Sequence, residues 1–218
     1  MNKIFALIVA TVFAALLLVG CAAPATTVPP ASGDSSQDVN FRLLISDEPN
    51  AIDDFEELWV TISAIGLAPA DGSTTGQTEI TLDPPISVNL VELTDENAVA
   101  AWEGYIPEGE YAKVFLYVDS VDGLLAGSED VINIKLPSNK LQLDHTFAIE
   151  EGDDGRVTNF VYDITVIRAG NSGMYLLQPQ LGQSGPDREF KLQERTKKRV
   201  SLGGPPEWVT SKTHGKPA

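Results

Sequence analysis

From Asp38 to Leu181 the apolar residues recur at a spacing of two, in short runs broken by Pro, Gly, Asn and Asp. A period of two is the signature of a strand buried on one face. The run Leu58-Trp-Val-Thr-Ile-Ser-Ala-Ile puts Leu58, Val60 and Ile62 on one side, with Trp59, Thr61 and Ser63 on the other. Similar runs predict strands at Val39–Ile45, Glu79–Leu82, Ile86–Leu93, Tyr111–Val118 and Val131–Leu136. Further strands are predicted at Leu141–Ile149, Val157–Val166 and Met174–Leu181. The only helical candidates are Ile52–Glu57 and Asp95–Ala101, one or two turns each. With no longer helical pattern between the strands, a parallel α/β sheet is excluded. The pattern predicts an all-β fold: an antiparallel, Greek-key-like β-sandwich of about seven to nine short strands.

One cysteine in 218 residues means that no disulfide staples this fold, and its core alone must hold it. That residue, Cys21, closes the tetrapeptide Leu18-Val19-Gly20-Cys21. Asn2 and Lys3 precede an apolar stretch, Ile4 to Leu18, too short for a comfortable span of about 20 residues and shaped like a secretory leader. A small residue before the cysteine, with aliphatics before that, resembles the lipobox of bacterial lipoproteins. The resemblance implies cleavage between Gly20 and Cys21, diacylglyceryl attachment to the Cys21 sulfur and acylation (palmitate-type chains) of the new terminus. The bland alternative is an incidental cysteine in an ordinary leader. Each buried methylene contributes about 0.8 kcal/mol, so two or three chains hold a protein on a membrane durably.

The chain therefore divides into a leader at 1–20, a lipidated flexible tether at 21–37, a β-sandwich domain at 38–181 and a tail at 182–218. The tether is rich in Pro, Thr, Ser and Ala, and its residues 22–37 extended would reach roughly 50 Å. The tail is polar, basic and rich in Gly and Pro, which predicts mostly disorder, with Phe190 and Trp208 its only large aromatic residues.

Charge is segregated. Between Cys21 and Asp187 stand 28 acidic and 6 basic residues, whereas Arg188 to Ala218 hold 8 basic and 3 acidic ones. So acidic a domain argues against nucleic acid as a partner, because phosphate binding needs Lys and Arg. Membrane lipid is expected through the Cys21 acyl chains, with an unidentified envelope or surface partner beyond it. The expected place is the extracytoplasmic side of the cytoplasmic or outer membrane. The acidic excess serves solubility first and loose association with divalent cations second.

Few residues carry reactive chemistry. His145 falls in a predicted strand and His214 in the tail, and neither has a sequence partner for a zinc site or a Ser-His-Asp arrangement. Gly203-Gly204 runs into prolines, so no phosphate loop is present. Paired carboxylates of a glycosidase would arise by chance among 31 acids, which leaves an enzyme a distant third reading. Calcium suits oxygen-rich loops better. Three clusters qualify: Asp47-Glu48 with Asp53-Asp54, Ser128-Glu129-Asp130, and the loop Glu150 to Gly155 with Glu151, Asp153 and Asp154. The last lacks the alternating order of a calcium loop and equally suits a hairpin turn, since Asp-Gly supplies positive φ. The turn reading weighs more, so the expected cofactor is none, with weak calcium the exception. Trp59 and Trp102 are candidates for a sugar-stacking platform, or alternatively cover the edge of the core.

Several segments in order resemble one family of exported proteins. Leu43-Leu-Ile-Ser-Asp-Glu-Pro, the Leu58–Ile65 strand, Val88-Asn-Leu-Val-Glu-Leu, Ile106-Pro-Glu-Gly-Glu-Tyr, Leu136-Pro-Ser and Tyr175-Leu-Leu-Gln-Pro are similar to the "domain of unknown function 4382" family. Ser46 and Glu48 stand where that family usually has threonine and alanine. The resemblance implies an exported β-sandwich without assigned activity and carries no catalytic residues over. In Pro107-Glu-Gly-Glu-Tyr111, Gly109 permits a tight turn and the Tyr111 hydroxyl is placed to reach a backbone partner, as in tyrosine corners. The sequence thus predicts a membrane-anchored, non-catalytic binding or structural module. The alternative is a calcium- or carbohydrate-dependent adhesion module.

Overall fold

The computed structural model describes residues 38–73, 77–134, 136, 138–150, 156–170, 173–186 and 188–211. Gly20, Cys21, Glu151, Asp153, Asp154 and His214 lie outside the described residues. The described chain is a two-sheet β-sandwich.

Eleven strands make it up. They are β1 (Phe41–Asp47), β2 (Phe55–Pro69), β3 (Thr78–Asn89), β4 (Asn97–Gly104), β5 (Gly109–Leu125) and β6 (Val131–Asn133). Then follow β7 (Lys140–Ile149), β8 (Thr158–Arg168), β9 (Tyr175–Pro179), β10 (Lys191–Leu192) and β11 (Val200–Leu202), and a single-turn helix α1 (Glu207–Ser211). Sheet A has the order β10-β4-β1-β8-β9. Sheet B has the order β11-β3-β2-β5-β6, with β7 on the same side of β5 nearer its start.

The period of two builds the core. Phe41, Leu43 and Ile45 of β1 and Phe160, Tyr162, Ile164 and Val166 of β8 face Leu58, Val60 and Ile62 of β2 in one buried cluster. A bulge between Ile62 and Ala64 moves the inward set from even to odd positions, so Ile65 and Leu67 continue the row. β5 does the same: Val114, Leu116 and Val118 give way to Val121 across the matching irregularity. At one end of the core, Phe147 packs on Phe160 with centroids 4.7 Å apart, and Phe41 lies 6.4 Å from Phe160. Truncating such a ring typically costs about 3–5 kcal/mol. The Tyr111 hydroxyl donates to the Pro107 carbonyl at 2.7 Å, and Gly109 between them takes φ 146°. That is the corner expected from the sequence.

Four expectations are corrected. Asp95–Ala101 is not helical: Val99 and Ala101 of β4 point into the core, so the segment reads as a strand. The sheets are not wholly antiparallel, because β1 runs parallel to β8 and β10 parallel to β4. A period of two is the same for either direction, so alternation carried no signal for this. The predicted strand Glu79–Leu82 and the first half of Ile86–Leu93 form the single β3, which passes Asp83, Pro84 and Pro85 where pairing with β2 skips from Thr81 to Ile86, while Leu90–Leu93 is a 3-10 turn and not strand. Prolines fit there because no ladder donor is required.

The fourth concerns the tail, expected to be mostly disordered. Its described residues cross both sheets: β10 extends the β4 edge and β11 extends the β3 edge. Lys191 pairs with Glu96 at 2.8 Å and Arg199 with Glu92 at 3.9 Å. Open strand edges supply backbone partners and the acidic domain supplies counter-charge. Behind this, Val209 of α1 covers the outer side of sheet B with Trp208 beside it, leaving Trp59 only 1% exposed.

Candidate functional site

The parallel register of β1 and β8 places Ser46 opposite Asp163, with Leu44 opposite Val161 one step before. These residues face away from the core, and Leu44, Val161 and Ala98 form a separate apolar patch packed by Phe190. Beyond that patch opens a cleft of about 850 Å³, whose lining includes Ser46, Glu48, Asp95, Asp163, Arg188 and Phe190. The strands supply its floor. The β3–β4 connection and the segment after β9 supply its walls.

That later segment is tied to β8 directly. After β9 ends at Pro179, the Gln180 amide donates to the Asp163 carbonyl at 3.0 Å. Gly185 and Val161 then exchange backbone bonds at 2.9 and 3.0 Å, taking the edge of β8 that β9 leaves open. Ser184, fully buried, accepts from the Asp163 amide at 3.0 Å and donates to the Gln180 carbonyl at 2.7 Å.

Asp163 is the centre of this arrangement. Only 3% of it is exposed, and its Oδ2 accepts from Ser46 Oγ at 2.6 Å. Its Oδ1 is buried without a hydrogen-bond partner among the described residues. Burial pushes the Asp163 carboxyl up to about 6; the Ser46 hydroxyl and the Glu48 backbone N–H pull it back, while the Glu48 charge pushes it further. One residue along, Asp47 falls in the inward row of Phe41, Leu43 and Ile45 and is fully buried. Neither of its oxygens has a partner among the described residues. Burial first, then the charges of Asp163 and Glu48, push Asp47 up to about 8. Two acids meeting at one end of sheet A thus favour their protonated forms, because a desolvated carboxylate without donors is costly.

The opposite wall is better satisfied. Lys191 Nζ is bound to Glu96 Oε2, and Arg188 Nε donates to the Ser184 carbonyl at 3.3 Å. Asn97 donates to the Thr94 carbonyl at 2.9 Å and accepts from Gln193 at 2.8 Å. Asp95 holds the turn with φ 61°.

The sequence candidates distribute as follows. Asp54 leaves the proposed Asp47-Glu48 grouping, since it pairs with Arg168 at 2.8 Å and accepts from the Tyr175 hydroxyl at 3.0 Å. Ser128 accepts from the Asp130 amide at 3.0 Å, a local turn. Among the described residues no group of three or more His, Cys, Asp or Glu is arranged to hold a metal ion. Trp59 is under α1 and therefore not a sugar platform, whereas Trp102 is half-buried against the core. His145 packs edge-on against Phe160 at 5.8 Å, and a Cβ on Gly185 would lie 2.9 Å from its ring. Sequence reasoning missed Asp163 and Ser46 as site residues. The available signal was a lone Asp inside Phe160-Val-Tyr-Asp-Ile-Thr-Val, a run otherwise suited to burial on both faces.

These features define an all-β two-sheet sandwich domain with an acid-floored cleft on one outer face. The chain belongs to the family described as Domain of unknown function (DUF4382), whose profile matches residues 38–179. Gln183 and Arg188 to Lys191, which line one wall of the cleft, follow the matched residues. Among curated proteins and among solved structures, none matches the chain. No helix among the described residues is long and apolar enough to cross a membrane.

Proposed function

We propose that the protein is a lipid-anchored binding module on the extracytoplasmic side of a cell membrane. Attachment is through Cys21, and recognition is through the cleft over β1 and β8. The observation that carries the recognition half is Asp163: a strand carboxylate buried at a cleft floor with one oxygen unsatisfied. Burying a carboxylate costs stability even when it is partly hydrogen-bonded, and sites that bind commonly retain that kind of cost. The lipobox-like Leu18-Val19-Gly20-Cys21 supports the anchoring half. A tether of small and proline residues between the cysteine and the domain gives the cleft reach from the lipid surface.

Anchoring is tested by expressing the full chain in a bacterial host and analysing the purified product by mass spectrometry and detergent phase partitioning. The reading expects an N-terminal peptide that starts at Cys21 and carries the mass of acyl chains, together with recovery in the detergent phase. Cys21→Ser should move the protein to the aqueous phase. Wild-type protein that is unacylated and water-soluble would sink it.

A further inference from the structure

The crossover from β10 to β11 concentrates positive charge on a domain that is otherwise acidic. Between Leu192 and Leu202 stand Arg195, Lys197, Lys198 and Arg199 against the single acid Glu194. Backbone bonds hold the crossover in place. The Gln193 amide donates to the Ala98 carbonyl at 2.8 Å, and the Asn89 amide to the Arg199 carbonyl at 2.9 Å. Within the turn, the Arg199 and Val200 amides both donate to the Thr196 carbonyl at 2.9 Å. Arg199 pairs with Glu92 at 3.9 Å, and Arg195 donates to the Ala101 carbonyl at 3.4 Å. Arg195, Lys197 and Lys198 are exposed and form no ion pair among the described residues.

Apolar side chains accompany these cations. Leu192 is 51% exposed and Leu202 is 66% exposed. Leu192 precedes Arg195 by three residues and Leu202 follows Lys198 by four. At no more than about 3.6 Å per residue, each leucine lies within roughly 15 Å of a cation. One exposed leucine is ordinary. Two that bracket a basic turn suit a lipid interface, where apolar groups enter the acyl boundary and cations stay with the headgroups. A polyanion in solution would use the cations and leave the leucines in water. The acids of the domain do not cancel this charge locally. Glu92 and Glu96 are engaged by Arg199 and Lys191, which leaves Glu194 in the turn and Glu57 near Lys198. Carboxylates more than about 8 Å away are largely screened at physiological ionic strength.

We propose that the β10–β11 crossover is a docking surface for anionic phospholipid headgroups, with Leu192 and Leu202 entering the acyl boundary. The inference rests on the anchoring half of the proposed function: a chain held at Cys21 on residues 22–37 keeps the domain within roughly 50 Å of the lipid. The crossover follows residues 38–179, so the tail carries it and the matched family domain does not. Each Lys or Arg near an anionic leaflet strengthens binding about fivefold, so Arg195, Lys197 and Lys198 together supply about a hundredfold. Docking sets the orientation of the sandwich. β10 and β11 stand at one edge of their sheets and β9 and β6 at the other, so the β9 and β6 edges turn away from the bilayer.

The test adds the full chain, purified from a bacterial host, to preformed vesicles of phosphatidylcholine with or without about 30% phosphatidylglycerol. Flotation with the neutral vesicles reads the anchor alone. Lysine acylation by an uncharged reagent, followed by mass spectrometry, reads the crossover, with Lys113 and Lys140 as internal references. Relative to those two, Lys197 and Lys198 should label about threefold or more slowly on anionic vesicles than on neutral ones. The difference should vanish at about 0.5 M NaCl. Arg195→Glu combined with Leu192→Ser and Leu202→Ser should restore the neutral-vesicle rate and leave flotation unchanged. If that variant does not fold, the salt series on the wild type decides. Failure to float with neutral vesicles would refute the anchor, and the crossover would then be read from flotation with anionic vesicles alone. Equal labelling on the two vesicles, slowing that survives salt, or equal slowing by soluble polyphosphate beside neutral vesicles overturns the docking surface.

Discussion

Ser46 and Asp163 lie 117 positions apart in the chain and directly opposite each other on parallel strands, joined by a hydroxyl-to-carboxylate bond of 2.6 Å. The bond holds one oxygen of a carboxylate that the fold otherwise desolvates. Just beyond it, Asp47 has no such bond at all. The end of sheet A where these acids sit is therefore sensitive to protons.

Stability should fall as pH rises from about 4 to about 8. The folded state holds the Asp47 proton up to about 8, against 3.8 for the free side chain. Over that window the unfolded chain has released the proton and the folded chain has not, so rising pH favours unfolding. Asp163, raised to about 6, adds to the lower half of the window. Each pKa unit corresponds to about 1.4 kcal/mol, so the window is worth a few kcal/mol. Asp47→Asn, which cannot ionise, should be more stable than the wild type at pH 8 and not at pH 4. Calorimetric melting curves across this range check it; parallel curves for the two proteins would refute it.

Asn40→Ala should destabilise by about 2–3 kcal/mol. The buried Asn40 amide donates to the Ile106 carbonyl and accepts from the Ile106 amide, both at 2.8 Å. Alanine leaves two buried backbone groups at the Ile106 position without partners. Urea unfolding with an unchanged m-value is the measurement.

Tyr111→Phe should cost about 1 kcal/mol, since it removes the hydroxyl with its bond to the Pro107 carbonyl and keeps the ring against Phe147. Tyr111→Ala should cost about 3–5 kcal/mol because the ring is lost too. Equal costs for the two variants, again by urea unfolding, would show that the hydroxyl and not the ring holds the corner.

Ending the chain at Leu202 should expose Trp59. Val209 and Trp208 cover it now, together with Leu124 and Val131 beneath. The expected result is a red-shifted tryptophan emission, faster acrylamide quenching and a stability loss of at least about 2 kcal/mol. Unchanged emission from Trp59, with Trp102→Phe in both chains and Trp208→Phe in the full-length reference to remove the other two signals, would mean that α1 does not seal this face.

The strands were legible because the core obeys a period of two, and even the bulges at Ile62 and Val118 keep each segment internally in phase. Their direction was not, since alternation along β1 and β8 looks the same whether they run parallel or antiparallel. The Asp95–Ala101 segment was misread because its alanines suit a helix locally, while Val99 and Ala101 are recruited by the core. The tail was misread for a related reason: two- and three-residue strands such as β10 and β11 have no periodicity to detect. They form because β4 and β3 offer open edges. Carboxylate abundance hid the site. Among 31 acids, nothing local distinguishes Asp163 except its place in an apolar run.

The placement of β1 between β4 and β8 bears on how the chain reaches its native state. β1 is the first strand made, yet its parallel partner begins at Thr158. Between them every strand of sheet B except β11 must be laid down. Contacts that span so much sequence raise the entropic barrier to folding and slow it, as in other non-local β topologies. A chain emerging from its N-terminus would present β1 with an open edge until nearly the last strand arrives. Throughout that interval the Phe41-Arg-Leu-Leu-Ile stretch is an exposed apolar strand seeking a partner, and another copy of the chain is the nearest substitute. Refolding yield should therefore drop with protein concentration more steeply than folded-state stability alone would suggest.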